Sequence, residues 1–378
     1  LTNSAKIPLQ VARPNHLIDL AVGHPDPDLL PVELFNSLSP EQLSFGYQNL
    51  AYGEQAGAEP FRQMLAAWLA EDYGQPIKAD ELLVTNGSSN ALDMICSLLR
   101  ESDATVLVED PCYFIALKLF KARGFNVVAV PMDEEGIELQ ALEQAIEQYN
   151  PAFIYTIPTF HNPTGITQSD NRRRALVKLA ADKQCVLVAD EVYQSLYFDQ
   201  KPPAPLACYN RDAPVLSIGS FSKILAPGLR LGWIQASGEL LYKLTNSALL
   251  FSGGGLAPVT SALVGALIAK GEFQNNLAHL RQTYAARSEL LYDGLVSTFG
   301  DQIQIKKPEG GYFLWAHFVD GRDVAAKRDQ ARELSVNYLP GNLCSATGQF
   351  RSSMRLCFAW YPEQQLITAC ERLGEVLT

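Results

Sequence analysis

Residues 220–233 read SFSKILAPGLRLGW, and Lys223 and Arg230 are the only charges in that stretch. The simplest reading of an isolated lysine is a snorkelling side chain, its methylenes on apolar surface and its ammonium in water. The alternative is an amine held in a pocket where it can react with a carbonyl. The surroundings decide between them. APVLSIGS (213–220) leads into the lysine and LRLGWIQA (229–236) follows it, and five similar β-rich runs lie upstream: ELLVTNG (81–87), ATVLVED (104–110), NVVAVP (126–131), AFIYTIP (152–158) and CVLVADE (185–191). Between the first five lie ALDMICSLLR (91–100), IALKLFKARG (115–124), ALEQAIEQY (141–149) and RALVKLAADK (174–183), whose apolar residues recur at helical spacing. Strands that are apolar on both faces and separated by helices predict an α/β domain with a mostly parallel seven-stranded sheet covered by helices.

After Ser237 the pattern changes. Long helices are expected from Pro258 to Phe299, then a smaller α+β unit built from QIQIKKPEGGYFLWAHF (302–318), a helix near ARELSV (331–336), SMRLCFAW (353–360) and a last helix near QQLITACERLGEVL (364–377). Residues 1–45, with Pro8, Pro14, Pro25, Pro27, Pro31 and Pro40, read as an irregular N-terminal arm belonging to the small domain. The expected division is therefore an arm at 1–45, a large domain at 46–285 and a small domain at 286–378.

Composition narrows the function. The chain has 378 residues, 47% apolar and 19% charged, with a net charge of −11. That acidic balance opposes nucleic-acid binding, and the trio Arg172, Arg173 and Arg174 reads as the polar face of a helix. Seven cysteines without CxxC spacing suit reduced thiols in the cytoplasm. The five histidines form no metal-binding pair, so no metal is expected. No stretch approaches the ~20 apolar residues of a membrane span, and LTNSAKIPLQ lacks the apolar centre of a signal peptide.

In open α/β sheets, ligands bind beyond the carboxyl ends of the strands, and the conspicuous polar residues gather there. Gly87, Ser88 and Ser89 follow one strand and open a helix, where free N–H groups and the helix dipole favour a phosphate; taken alone, the serine is as simply a cap. No GxGxxG or GxxxxGK[ST] is present, so the phosphate belongs to something smaller than a dinucleotide or ATP. Asp190 ends a hydrophobic strand, where an unpaired carboxylate is costly; a helix cap or ion pair would serve it, and so would a bound pyridinium nitrogen kept protonated by the carboxylate. Asn162 and Tyr193 could then donate to the ring's phenolate oxygen. Lys223 would form a Schiff base with the aldehyde, and Arg230 would grip the phosphate beside Ser220 and Ser222.

From about Leu20 to the C-terminus the chain resembles the fold-type I pyridoxal-phosphate enzymes, and among them the class I/II aminotransferases. SFSKILAPGLRLGW is similar to that family's S-x-S-K-x-x-x-P-G-x-R-x-G-[WY] segment, and HNPTG (161–165), DEVY (190–193) and GSSNAL (87–92) match its segments for the ring oxygen, the ring nitrogen and the phosphate. The resemblance implies a pyridoxal 5'-phosphate enzyme with Lys223 as the cofactor lysine. It implies that Tyr113 of VEDPCYF (108–114) stacks on the cofactor face and that Tyr52 of LAYGEQAGAEPFR (50–62) reaches the phosphate of the partner subunit in a homodimer. It also implies that Gly23 lies near the substrate carboxylate and that Arg355 holds that carboxylate. The Pro163 bond is cis in the family. FSGGGLAP (251–258) departs from it and could be a pocket lip or a plain loop.

The activity implied is a ping-pong transfer of an amino group from an L-amino acid to a 2-oxo acid, with a lean toward the aminoadipate and aromatic branch. Two alternatives share these motifs. One is a C–S β-lyase on the same scaffold. The other is the PLP-binding sensor domain of a transcription regulator, which carries a basic helix-turn-helix module ahead of it; here only the irregular arm precedes, on an acidic chain.

Overall fold

The computed structural model describes residues 16–39 and 46–378. All seven predicted runs enter one sheet, whose order is Leu82–Thr85, Gly232–Gln235, Val215–Ser220, Val186–Asp190, Phe153–Thr156, Thr105–Asp110, Asn126–Asp133 and Gly136–Ile137. The five strands from Val215–Ser220 to Asn126–Asp133 run parallel, while Gly232–Gln235 is antiparallel to both of its neighbours. The eighth strand, Gly136–Ile137, was not expected. It is two residues returning from a tight turn on the sheet edge, with Glu135 N donating to Asp133 Oδ1 at 2.8 Å, too short to leave a pattern in the sequence.

Most strands of this sheet are buried along their whole length, as a layer covered on both faces requires. Helices Ser88–Leu99, Phe114–Ala122, Leu139–Tyr149 and Asp170–Asp182 occupy the predicted stretches. The long helical region is two helices, Pro258–Lys270 and Glu272–Phe299, parted at Gly271, whose φ of 76° favours glycine. The expected boundary at 285 falls inside the second of them.

A separate four-stranded antiparallel sheet orders Ile303–Ile305, Phe313–Phe318, Ser353–Cys357 and Leu339–Pro340, and helix Glu363–Leu377 packs nearby against Glu272–Phe299. Of the arm, Pro8, Pro14 and Pro40 lie outside the described residues. The described part pairs Ile18–Asp19 in parallel with Val336–Asn337 and buries Asp26 against Arg287 at 2.9 Å.

The arginine trio corrects a sequence reading. Successive helical residues point about 100° apart, so Arg172, Arg173 and Arg174 cannot share a face. Arg173 turns inward and is fully buried. FSGGGLAP packs backbone to backbone on residues 53–57: a Cβ on Gly254 would lie 2.6 Å from the Gly53 carbonyl oxygen. Close approach accounts for Gly254 and Gly255, while a Cβ on Gly253 would meet nothing within 4 Å. Every cysteine except Cys208 is buried, and all are free. No helix among the described residues is long and apolar enough to cross a membrane, and no group of three or more potential metal ligands occurs there.

Candidate active site

The strand ends and the antiparallel sheet meet around a cavity of about 100 Å³ lined by Gly23, Tyr113, Asn162, Tyr193, Lys223 and Arg355, together with His24, Phe114, Ile115 and Phe313. Six residues singled out from the sequence thus share one wall space. Lys223 follows strand Val215–Ser220, and its Nζ donates to the Gly23 carbonyl at 2.7 Å, 5.1 Å from the centre of the Tyr312 ring. Burial is the main cause that lowers its pKa from 10.5 to about 8. Tyr312, which the sequence reading did not single out, donates its hydroxyl to the Lys223 carbonyl at 2.9 Å and so braces the lysine's own backbone.

Asp190 is buried at the end of its strand. Oδ2 accepts from the Tyr155 hydroxyl at 2.8 Å, while Oδ1 has no hydrogen-bond partner among the described residues. Burial pushes its pKa up to about 6, against the lowering effect of Tyr155, the Val192 N–H and Lys223. Tyr155 was also missed, although a tyrosine inside a parallel strand must find a partner for its hydroxyl, which is a readable signal.

Asn162 sits at a cis bond to Pro163, as expected. The turn that carries it is fixed from below: the fully buried Glu109 accepts from Thr156 Oγ1 at 2.6 Å and Ile157 N at 2.8 Å, and His161 Nδ1 lies 2.8 Å from Thr164 Oγ1. His161 Nε2 stands 3.2 Å from Glu109 Oε2 without hydrogen-bond alignment. Tyr193 is buried with its ring 5.9 Å from Phe313, edge-on.

Arg355, on strand Ser353–Cys357, is 1% exposed. Nη1 donates to Asn162 Oδ1 at 2.8 Å and Nη2 to the Ala21 carbonyl at 2.5 Å; Nε has no partner, and the guanidinium lies 4.0 Å from the Phe313 ring centre. No carboxylate of the described residues pairs with it. A Cβ on Gly23 would come within 2.6 Å of the Phe313 ring, so the missing side chain makes room for that ring beside Arg355.

The phosphate candidates assemble a short distance away. Gly87 caps helix Ser88–Leu99 with φ 85°, and a Cβ there would meet Arg230 Nη2 at 2.9 Å. Arg230 Nη2 donates to the Asn86 carbonyl at 3.3 Å, and Ser220 Oγ and Ser222 Oγ are 3.0 Å apart. Ser88 is half-buried and Ser89 exposed. Tyr52 alone stands apart: it is 88% exposed and does not line the cavity of its own chain.

The groups fit pyridoxal 5'-phosphate on observations of this chain: a buried orphan carboxylate oxygen, a cavity lysine whose charge that carboxylate feels, and serines, an arginine and a helix start kept open by a glycine. The chain matches the aminotransferase class I and II family over residues 15–373. It is 32% identical to aromatic-amino-acid aminotransferase 1 of Thermococcus litoralis, over 98% of this chain and 90% of that one. The solved structure of LysN, the alpha-aminoadipate aminotransferase of Thermus thermophilus complexed with N-(5'-phosphopyridoxyl)-L-leucine, superposes with a TM-score of 0.86 at 30% identity, over 96% of this chain and 92% of that one. An uncharacterized HTH-type transcriptional regulator of Escherichia coli, YjiR, is 28% identical over 100% of this chain and 83% of its own length. With the family matched across nearly its whole length, the chain belongs to the class I and II aminotransferases.

Proposed function

We propose that this aminotransferase moves the amino group of an L-amino acid to a 2-oxo acid at the Lys223 cavity, using pyridoxal 5'-phosphate. The observation that carries the reading is the buried Asp190, whose Oδ1 has no partner among the described residues and which feels the charge of Lys223, the lysine that shares its cavity with the carboxylate-free Arg355. When bound, the cofactor supplies an aldehyde that condenses with primary amines and a protonated ring that draws electrons from the substrate's Cα.

Asp190 Oδ1 would accept from the ring nitrogen and keep it protonated. Asn162 and Tyr193 would donate to the ring oxygen, and Tyr113 would cover the ring face. Gly87, Ser88 and Ser89, through the helix start, would hold the phosphate with Ser220, Ser222 and Arg230. Arg355 would take the substrate's α-carboxylate in its fork, with Asn162 and the bare Gly23 beside it. Lys223 Nζ, whose pKa burial lowers to about 8, would in its neutral form move the proton on and off Cα. The same residues serve the oxo acid in the second half of the ping-pong cycle.

A homodimer belongs to this reading, with the outward Tyr52 reaching the partner's phosphate, in a cytoplasmic protein without nucleic-acid partners. So does the division at residues 45 and 285. Mixed Tyr52→Ala and Lys223→Ala subunits should regain activity that neither has alone; no recovery after confirmed subunit exchange would place Tyr52 in its own chain's site.

The test is a panel of amino donors against 2-oxoglutarate and pyruvate, read as oxo-acid product. Product that depends on the added oxo acid supports transfer. Ammonia and pyruvate released without an acceptor would instead identify the β-lyase.

A further inference from the structure

The cavity contains one polar side chain to which the reading above gives no work. Lys223, Arg355, Asn162, Tyr113 and Tyr193 are assigned to cofactor or α-carboxylate. His24 is not, and its ring makes no hydrogen bond among the described residues. We propose that His24 selects the substrate's side chain, favouring aromatic amino acids that carry a neutral hydrogen-bonding group, L-tyrosine above all, over those ending in a second carboxylate. This rests on the aminotransferase reading and sharpens it.

The imidazole is a fixed wall rather than a passing contact. Its ring packs on Trp360 with centroids 5.7 Å apart and planes at 51°. Its backbone segment is tied on both sides, by the pairing of Ile18–Asp19 with Val336–Asn337 and by the buried Asp26–Arg287 ion pair, and Lys223 holds the carbonyl of the preceding residue. A group so held can recognise by position.

Its chemistry is that of a neutral donor and acceptor. Burial first, and then the charge of Lys223, lower its pKa from 6.5 to about 4. At neutral pH it therefore presents one N–H and one bare nitrogen, a match for a phenol hydroxyl in either direction. The remaining lining, Ala21, Val22, Phe114, Ile115 and Phe313, is apolar or aromatic. Among the described residues no cation apart from Lys223 and Arg355 lines the cavity, so a distal carboxylate there would lose its water without gaining a partner among them.

The experiment compares wild type, His24→Leu and His24→Gln in kcat/KM for L-tyrosine, L-phenylalanine and L-2-aminoadipate. In parallel, calorimetry measures dissociation constants of the unreactive 3-(4-hydroxyphenyl)propanoate and 3-phenylpropanoate. His24→Leu should lower tyrosine use about tenfold while changing phenylalanine by less than about threefold, and His24→Gln, which keeps a neutral donor and acceptor, should recover most of the loss. The hydroxyphenyl analogue should lose its binding advantage in His24→Leu alone. Equal losses for tyrosine and phenylalanine, or wild-type enzyme that uses 2-aminoadipate as well as tyrosine, would overturn the assignment. A wild type that transfers from no donor would sink the aminotransferase reading instead, while the two analogues would still judge His24.

Discussion

Arg173 and Arg355 are both fully buried, yet their surroundings differ in kind. Arg173 donates Nε to the Gln168 carbonyl, Nη1 to the Ala204 carbonyl and Nη2 to the Pro158 carbonyl and Thr159 Oγ1, all within 3.1 Å, and Glu191 lies 3.7 Å away as counter-ion. Arg355 meets one amide and one carbonyl, leaves Nε unused and has no carboxylate. Desolvating a guanidinium is expensive, and the Arg173 network repays it inside the chain. At Arg355 repayment within the described residues is incomplete, which suits the carboxylate site proposed for it. Closed polar networks hold a fold; open ones hold a ligand.

The largest effect expected from this contrast is on stability. Arg173→Met should cost about 3–5 kcal/mol, because it strands Glu191 in the core. Burial already raises the Glu191 pKa from 4.5 to about 7, with Arg173 as the main opposing influence. A carboxyl raised in the folded state is destabilising once ionised, and stability falls as pH rises from its unfolded value through its folded one. Removing Arg173 should carry that fall above pH 7, so urea titrations should show a larger loss at pH 8 than at pH 5. A pH-independent loss would mean that Glu191 is not the partner that matters. Turnover per folded molecule should hardly change.

Asp190→Asn tests the other half of the contrast, since it removes the charge of the orphan oxygen while nearly keeping its shape. Stability should hold, and the rate of Cα proton abstraction should fall by about 10²–10³-fold. Half-reaction rates within a few-fold of wild type would remove Asp190 from the chemistry. Arg355→Lys should cost about 2 kcal/mol in kcat/KM, the low end for a broken buried charge pair because lysine keeps the charge but loses the fork. A simple amine without an α-carboxylate should react as slowly with the variant as with wild type. Equal losses for both would make Arg355 a structural residue.

The smallest effect is a pH slope. Only a neutral amine condenses with an aldehyde, and burial sets the Lys223 pKa at about 8 while that of Asp190 is about 6. Between those values, capture of pyridoxal 5'-phosphate by the free protein should quicken by about tenfold per pH unit and then level off. A rise that continues toward pH 10 would place the lysine in water.

The same contrast explains what the sequence made legible. The seven strands could be read because a sheet covered on both faces needs apolar runs, and Asp190, Asn162 and Lys223 could be read because they are polar where those runs stop. Gly136–Ile137 could not, since two residues carry no period. Arg173 was misjudged because three adjacent charges look solvated until a helix separates their directions. Tyr312 and His24 contact neighbours that are distant in sequence, Lys223 and Trp360, and no local pattern reports such contacts.

The claim on which the account turns is that the Lys223 amine carries the cofactor. Borohydride reduction of the protein loaded with pyridoxal 5'-phosphate, followed by peptide mass spectrometry, tests it directly. The account predicts a single phosphopyridoxyl adduct on the peptide containing Lys223 and none in Lys223→Ala. An adduct on another lysine, or reduction that leaves Lys223 unmodified, would contradict it.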